Sequence, residues 1–298
     1  YDSATFQLKG FVGRAAWSSS ADMATGRNGT GGSGNLQNSA LVCGGYGPPD
    51  GANNATEEYN GSGWTTGGDL NTAVYSGRAA GPQTASRAFF GYTGTAYQST
   101  SESYDGTSWT NGPDINTDRN SGGYAGTSTA TLGAGGGTPS AVNNSEEFNG
   151  SAWVEGNNLN TTRSGLSGFG SQTAAVAIGG DTPGALASAE EYDGTDWTNV
   201  TSCNTARGGL ATGGIQTSGL IFGGHDGTAV VAVTEAYDGT SWTEGPDLAT
   251  ARNSLGGTGA TVSSAIAFNG DPKRSITEEF NNSFNVVTAA TWSSGGNT

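Results

Sequence analysis

The chain has 298 residues, 33 % of them hydrophobic, and its 53 glycines show no every-third-residue spacing, so it is neither collagen-like nor disordered. A net charge of −15, with only Lys9 and Lys273 as lysines among eleven cations, opposes binding to nucleic acid or anionic membrane. No apolar run approaches the roughly 18–20 residues needed for membrane insertion, and the two cysteines give no disulfide framework.

In chain order, the first element surrounds Trp17, with Arg27 ten residues later. An apolar run, Ala40-Leu41-Val42-Cys43, then meets Gly44-Gly45. It is followed by Glu57-Glu58-Tyr59, an Asn60-Gly61 turn and Trp64. From there the pattern repeats. Trp64, Trp109, Trp153, Trp197 and Trp242 are separated by 45, 44, 44 and 45 residues. Five positions before each stands an aromatic: Tyr59, Tyr104, Phe148, Tyr192, Tyr237. The intervening Asn-Gly or Asp-Gly predicts a two-residue hairpin turn, which sets each aromatic and its Trp on adjacent antiparallel strands. Ten residues after Trp come Arg119, Arg163, Arg207 and Arg252, with Val74 in the second period. Further apolar runs ending in Gly-Gly, such as Leu220-Ile221-Phe222-Gly223-Gly224, are too short for helices and suit buried strands.

Each period therefore reads as four strands: a after the Arg, b ending in Gly-Gly, c carrying the acid and aromatic, d carrying Trp. A single four-stranded sheet cannot bury both faces, whereas a ring of such sheets does. The sixth period has Ala265-Ile266-Ala267-Phe268 and Glu278-Glu279-Phe280, but Asn285 stands where its Trp belongs. Trp17 keeps the strand-d register, so the N-terminal strand is expected to close the last blade. Phe284 or Trp292 is the alternative source of that strand. The expected architecture is an all-β, six-bladed propeller spanning residues 1–298 as one domain, with short extensions at 1–10 and 285–298. Cys43 and Cys203 then fall about half a ring apart, too far for a disulfide. A chain that begins at Tyr1, without Met or signal peptide, is expected to be processed or part of something longer.

The order apolar–Gly-Gly, Glu-Tyr-Asp, Trp, Pro-Asp-Leu-x-Thr-Ala-Arg resembles the kelch repeat over nearly the whole chain. Phe90-Gly91 and Val74 depart from it in the second repeat. Scarce Lys, abundant Gly, Ser, Thr and Asn, and regular repeats look like kelch-like surface proteins of marine bacteriophages and environmental bacteria. That likeness implies a non-catalytic propeller, extracellular or on a virion, as a decoration, tail-fibre or glycan-binding module, with virion proteins, surface proteins or acidic glycans as partners. The alternatives are a glycan-active enzyme using a carboxylate pair and a kelch adaptor for a protein partner.

Candidate chemistry is sparse. Kelch-type copper oxidases hold metal with two His and Tyr, and this chain has one His, His225; no metal or cofactor is expected. A lone His also leaves acyl transfer without its base. The acids Glu57-Glu58, Glu146-Glu147, Glu190-Glu191 and Glu278-Glu279, with Glu102 and Glu235, recur once per blade. A glycosidase needs two carboxylates, but recurrence at one position argues for scaffold. Arg27, Arg119, Arg163, Arg207 and Arg252 leave two readings open. They brace the blades through Glu or carbonyl partners, or they form a ring of guanidinium groups for a carboxylate, sulfate or acidic sugar at the central channel. In the second period Arg78 stands four residues beyond Val74.

Overall fold

The computed structural model describes residues 15–282. They form six four-stranded antiparallel sheets arranged as the blades of a β-propeller, with no helix among the described residues. Blade 4 represents the set, with strands Ser167–Ser171, Ala174–Ile178, Ala189–Tyr192 and Trp197–Val200, lettered a to d. The a strands of successive blades pack on one another, which makes them the wall of a central channel. Blade 6 takes strands a to c from Gly256–Thr261, Ser264–Phe268 and Thr277–Asn281, and strand d from Ala16–Ser19. The N-terminal strand thus closes the ring, with Trp17 opposite Phe280. Phe284 and Trp292 lie outside the described residues.

The repeat aromatics occupy equivalent positions throughout. Tyr59, Tyr104, Phe148, Tyr192, Tyr237 and Phe280 stand opposite Trp64, Trp109, Trp153, Trp197, Trp242 and Trp17 respectively, with ring centroids 4.6–5.5 Å apart. The indoles also stitch each blade to its predecessor. Trp109 Nε1 donates to Thr56 Oγ1 at 2.9 Å, and Trp64 Nε1 donates to Thr277 Oγ1 at 2.9 Å. Where Ala189 removes the hydroxyl, Trp242 Nε1 turns to the Thr201 carbonyl.

The hairpins between strands c and d are longer than the two-residue turns expected. Tyr59 pairs with Trp64, so four residues form the loop. Asn60 Oδ1 accepts the backbone N–H groups of Ser62 and Gly63, and Asp105 Oδ1 does the same for Thr107 and Ser108. Side-chain capping by Asn or Asp, with only the following Gly at positive φ, replaces the double positive-φ turn.

A second network links successive blades through strand c. Tyr104 Oη donates to Glu58, Tyr192 to Glu147, Tyr237 to Glu191 and Tyr59 to Glu279. The remaining two blades carry Ser103 and Ala236 in place of the acid, and the facing rings are Phe148 and Phe280, which have no hydroxyl. Acid and phenol are present together or absent together in all six junctions, because a half-buried carboxylate facing Phe loses its donor. Glu191→Ala is therefore expected to destabilise more in the Tyr237 protein than in Tyr237→Phe, with a coupling of about 1 kcal/mol in a double-mutant cycle. Equal effects in both backgrounds would show that the bond contributes nothing.

The innermost connection closes the ring a third time, through backbone alone. Just before strand a, each blade holds one residue at positive φ: Gly29, Ser76, Ser121, Gly165, Gly209 or Ser254. The N–H of each donates to the carbonyl of its counterpart in the preceding blade, at 2.6–2.9 Å, from Gly29 to Ser254 and round to Ser254 on Gly209. Six bonds make a closed circle at one mouth of the channel. Cys43 and Cys203 are buried and unbridged.

Candidate binding face at the channel mouth

The five repeat arginines sit beside this circle in sequence, yet their side chains turn away from the channel. Each is fully buried at 0 % exposure and paired with the strand-c acid of its blade. The pairs are Arg27–Glu57 (2.8 Å), Arg119–Glu146 (3.0 Å), Arg163–Glu190 (3.0 Å), Arg207–Glu235 (2.7 Å) and Arg252–Glu278 (3.1 Å). In blade 4, Arg163 also donates to the carbonyls of Gly179, Ala177 and Ser188, while Glu190 accepts from the backbone of Asn160 and Thr161. The first acid of each pair is thus consumed in holding the crossover between blades. Burial lowers the arginine pKa in Arg27, Arg119, Arg163 and Arg252, with the paired acid opposing that shift. None of the five lines the channel cavity.

That cavity, of about 440 Å³, opens at the mouth bearing the hydrogen-bond circle. Its wall is mostly backbone, hydroxyl and amide, including Ser76, Ser121, Ser164, Ser254, Asn120 and Asn253. Glycine is its commonest lining residue, and the a strands crowd together further down the channel, where a Cβ on Gly213 would meet the Gly259 N at 2.6 Å. Arg78 and Tyr124 line the same cavity, and Tyr124 also lines the small opening at the opposite end, so these two side chains fill the waist.

Arg78 belongs to strand a of blade 2, where the other blades carry Gly31, Gly123, Ser167, Ala211 or Gly256. Its Nε donates to Gly122 O at 2.5 Å, Nη1 to Gly77 O at 3.0 Å and Nη2 to Leu166 O at 3.1 Å. The guanidinium thereby bridges blades 2, 3 and 4. Burial lowers its pKa, offset in part by Tyr124.

The rim is built from two repeat positions that differ from blade to blade. Tyr46, Tyr92, Gly137, Asp181, His225 and Asp271 follow the glycine corner after strand b, and each forms a bridge with the residue preceding the circle. On blades 1 and 2 this makes an arc of half-buried tyrosines. Centroid separations are 5.4 Å for Tyr46–Tyr75, 5.5 Å for Tyr75–Tyr92 and 4.9 Å for Tyr92–Tyr97. Across the mouth, Asp181 lies against Gly165 and Gly208, where a Cβ on Gly208 would collide with its carboxylate. Desolvation there raises the Asp181 pKa, and nearby His225 partly offsets the rise. His225 Nδ1 accepts the Gly227 N–H at 3.0 Å, which leaves Nε2 as the protonated nitrogen of the neutral ring. Asp271 accepts from Asn28 Nδ2 at 2.8 Å.

Departures from the repeat gather in blade 2 and its mouth: Val74 for Arg, Tyr75, Arg78, Phe90 for Gly, and Tyr92. Phe90 sits at φ 64°, the left-handed corner filled by glycine in four blades and by Asn269 in blade 6. A bulky residue is strained there. The Arg119 guanidinium covers its ring at 4.7 Å. Sequence reading reached Val74, Phe90 and Arg78 as irregularities but attached no site to them. Among the described residues no group of three His, Cys, Asp or Glu side chains converges for a metal. Neither protein-family models nor curated proteins match this chain.

Proposed function

We propose that this propeller is a non-catalytic binding module of the kelch type, displayed on a virus particle or cell surface, which binds glycan through the channel mouth of blades 1 and 2. The observation that carries this is the division of labour between recurring and singular residues. The repeat arginines, their paired acids and the strand-c aromatics are buried in the scaffold, whereas Arg78 and His225, each found in one blade only, gather at one mouth. There a polar cavity stands beside four packed, half-exposed tyrosines. Tyrosine offers a flat apolar face with a polar edge and little rotamer entropy to lose, a surface suited to stacking against sugar rings. Strain stored at Phe90 in the same sector supports a functional origin for the irregular blade.

A glycan array probed with the labelled chain tests this. Specific binding is expected, and Tyr97→Ala, at the end of the arc, should weaken it severalfold with little change in melting temperature. Absence of any glycan signal would remove the reading. Fractionation of the native source should place the protein with virions or extracellular assemblies.

A second reading, a glycan-active enzyme, draws on Asp181, a non-recurring acid at the mouth whose raised pKa suits proton donation. Release of reducing ends from a bound glycan, abolished by Asp181→Asn, would replace the first reading with this one.

A further inference from the structure

From the geometry we infer that Arg78 makes the floor of the channel cavity an anion subsite, which takes the carboxylate or sulfate of an acidic glycan entering from the mouth. The inference deepens the glycan-binding reading and rests on it for the identity of the ligand, though not for the anion subsite itself.

Among the described residues, Arg78 is the one Lys or Arg that lines the 440 Å³ cavity. All five repeat arginines are neutralised by a buried glutamate and Lys273 pairs with Asp50, while Arg87 and Arg274 form no ion pair but do not line this cavity. Among the described residues, Arg78 has no carboxylate partner within ion-pair distance. Its three hydrogen bonds go to neutral carbonyls. A guanidinium has five N–H donors, so two remain, one on each terminal nitrogen. The residue is partly exposed and lines the cavity with the hydroxyl-bearing Ser76, Ser121, Ser167 and Tyr124. Three fixed carbonyl bonds hold the fork rigid before any ligand arrives, which lowers the ordering loss on binding. In a chain of net charge −15, an uncompensated cation at the bottom of a narrow polar funnel attracts anions locally while the outer surface repels them. That combination selects ligands with a single well-placed charge over polyanions.

A bridging strut would also explain the three carbonyl bonds, and it makes different predictions. Thermal unfolding with low millimolar sodium sulfate, against chloride at matched ionic strength, isolates the subsite. Sulfate is expected to raise the melting temperature of the wild-type chain and not that of Arg78→Met. An equal shift in both would overturn the subsite. Should Arg78→Met fail to fold, Ser76→Gly keeps the test open. Ser76 is at φ 55°, where three other blades already have Gly, so this change removes a lining hydroxyl without backbone strain. It should reduce the sulfate shift, and an undiminished shift counts against the site.

Calorimetry with an oligogalacturonide and its fully methyl-esterified counterpart then tests the ligand. The acid should bind about tenfold tighter, with the difference lost at high salt and in Arg78→Met. Asp181→Asn, which removes the acid on the opposite wall, should tighten it further. Equal binding of acid and ester overturns Arg78 as the selector while leaving the glycan reading in place. An Arg78-dependent sulfate shift with no oligosaccharide binding does the reverse.

Discussion

Replacing Arg163 by alanine is expected to lower stability by about 3–5 kcal/mol, because removal of one partner leaves a buried charge without its counterion. Glu190 would keep its bonds to the Asn160 and Thr161 backbone, but the guanidinium that also ties Gly179 and Ser188 to the crossover would be gone. Blade 2 shows how a junction survives without this ion pair. Val74 packs into a cluster with Leu41, Cys43, Leu70 and Trp109, and Glu102 accepts three bonds from Asn71 and Thr72. Arg163→Val should therefore be milder than Arg163→Ala. The double substitution Arg163→Ala with Arg207→Ala should lower the melting temperature further still and leave anion binding unchanged. Calorimetric unfolding measures the first effect, and the sulfate shift measures the second. A double variant that melts like wild type but no longer responds to sulfate would return the anion site to the repeat arginines and away from Arg78.

The ring was legible because its determinants are periodic. Trp every 44–45 residues, an aromatic five positions earlier, and glycine after each apolar run all mark strands whose partners are local. Even the closure was readable, since Trp17 and Arg27 keep the strand-d interval at the wrong end of the chain. The direction of the repeat arginines was not. Sequence puts them next to the channel, and so does the structure; their side chains nevertheless lean outward to the strand-c acids, a choice made by contacts 26–30 residues away. The alternation of Glu with Tyr and of Ser103 or Ala236 with Phe lay in plain sight. It pairs residues 44–46 apart across neighbouring blades, so reading it requires knowing first that blade follows blade in a ring.

Arg78 illustrates the limit more sharply. Four residues beyond Val74, it looks like a displaced brace. Its meaning depends on the channel, which exists only once six a strands converge, and on the lack of a nearby acid, which is a fact about three blades at once. Singular residues carry no period, so they are the ones a repeat-based reading passes over. They are also where a symmetric scaffold acquires a specific surface.

Deleting residues 1–19 is expected to destabilise the chain by more than the ~3–5 kcal/mol of a single buried Trp→Ala change. Strand d of blade 6 would be lost, and with it the ladder from Ala16 on Asn281 to Ser19 on Glu278. The Trp17 ring packs 4.9 Å from Phe222 and 5.2 Å from Phe280, and its Nε1 donates to Thr234 Oγ1 at 3.0 Å. It therefore joins blades 5 and 6, and its removal opens a cavity beside the blade in which the first and last described strands pair. The strand Thr277–Asn281 would become an unpaired edge, prone to pairing with a second copy. Calorimetry should show a lower melting temperature, and sedimentation should show more self-association than the intact chain has. A synthetic peptide covering residues 15–24 should reverse both, because the edge it fills is otherwise intact. Trp17→Ala serves as the internal control. It keeps the backbone ladder and removes only the indole, so it should lower stability less than the deletion and leave the association state unchanged. If the truncated chain melts like the intact one, the N-terminal strand contributes no closure, and the six bladed sheets must hold together through the inner hydrogen-bond circle and the strand-c junctions alone.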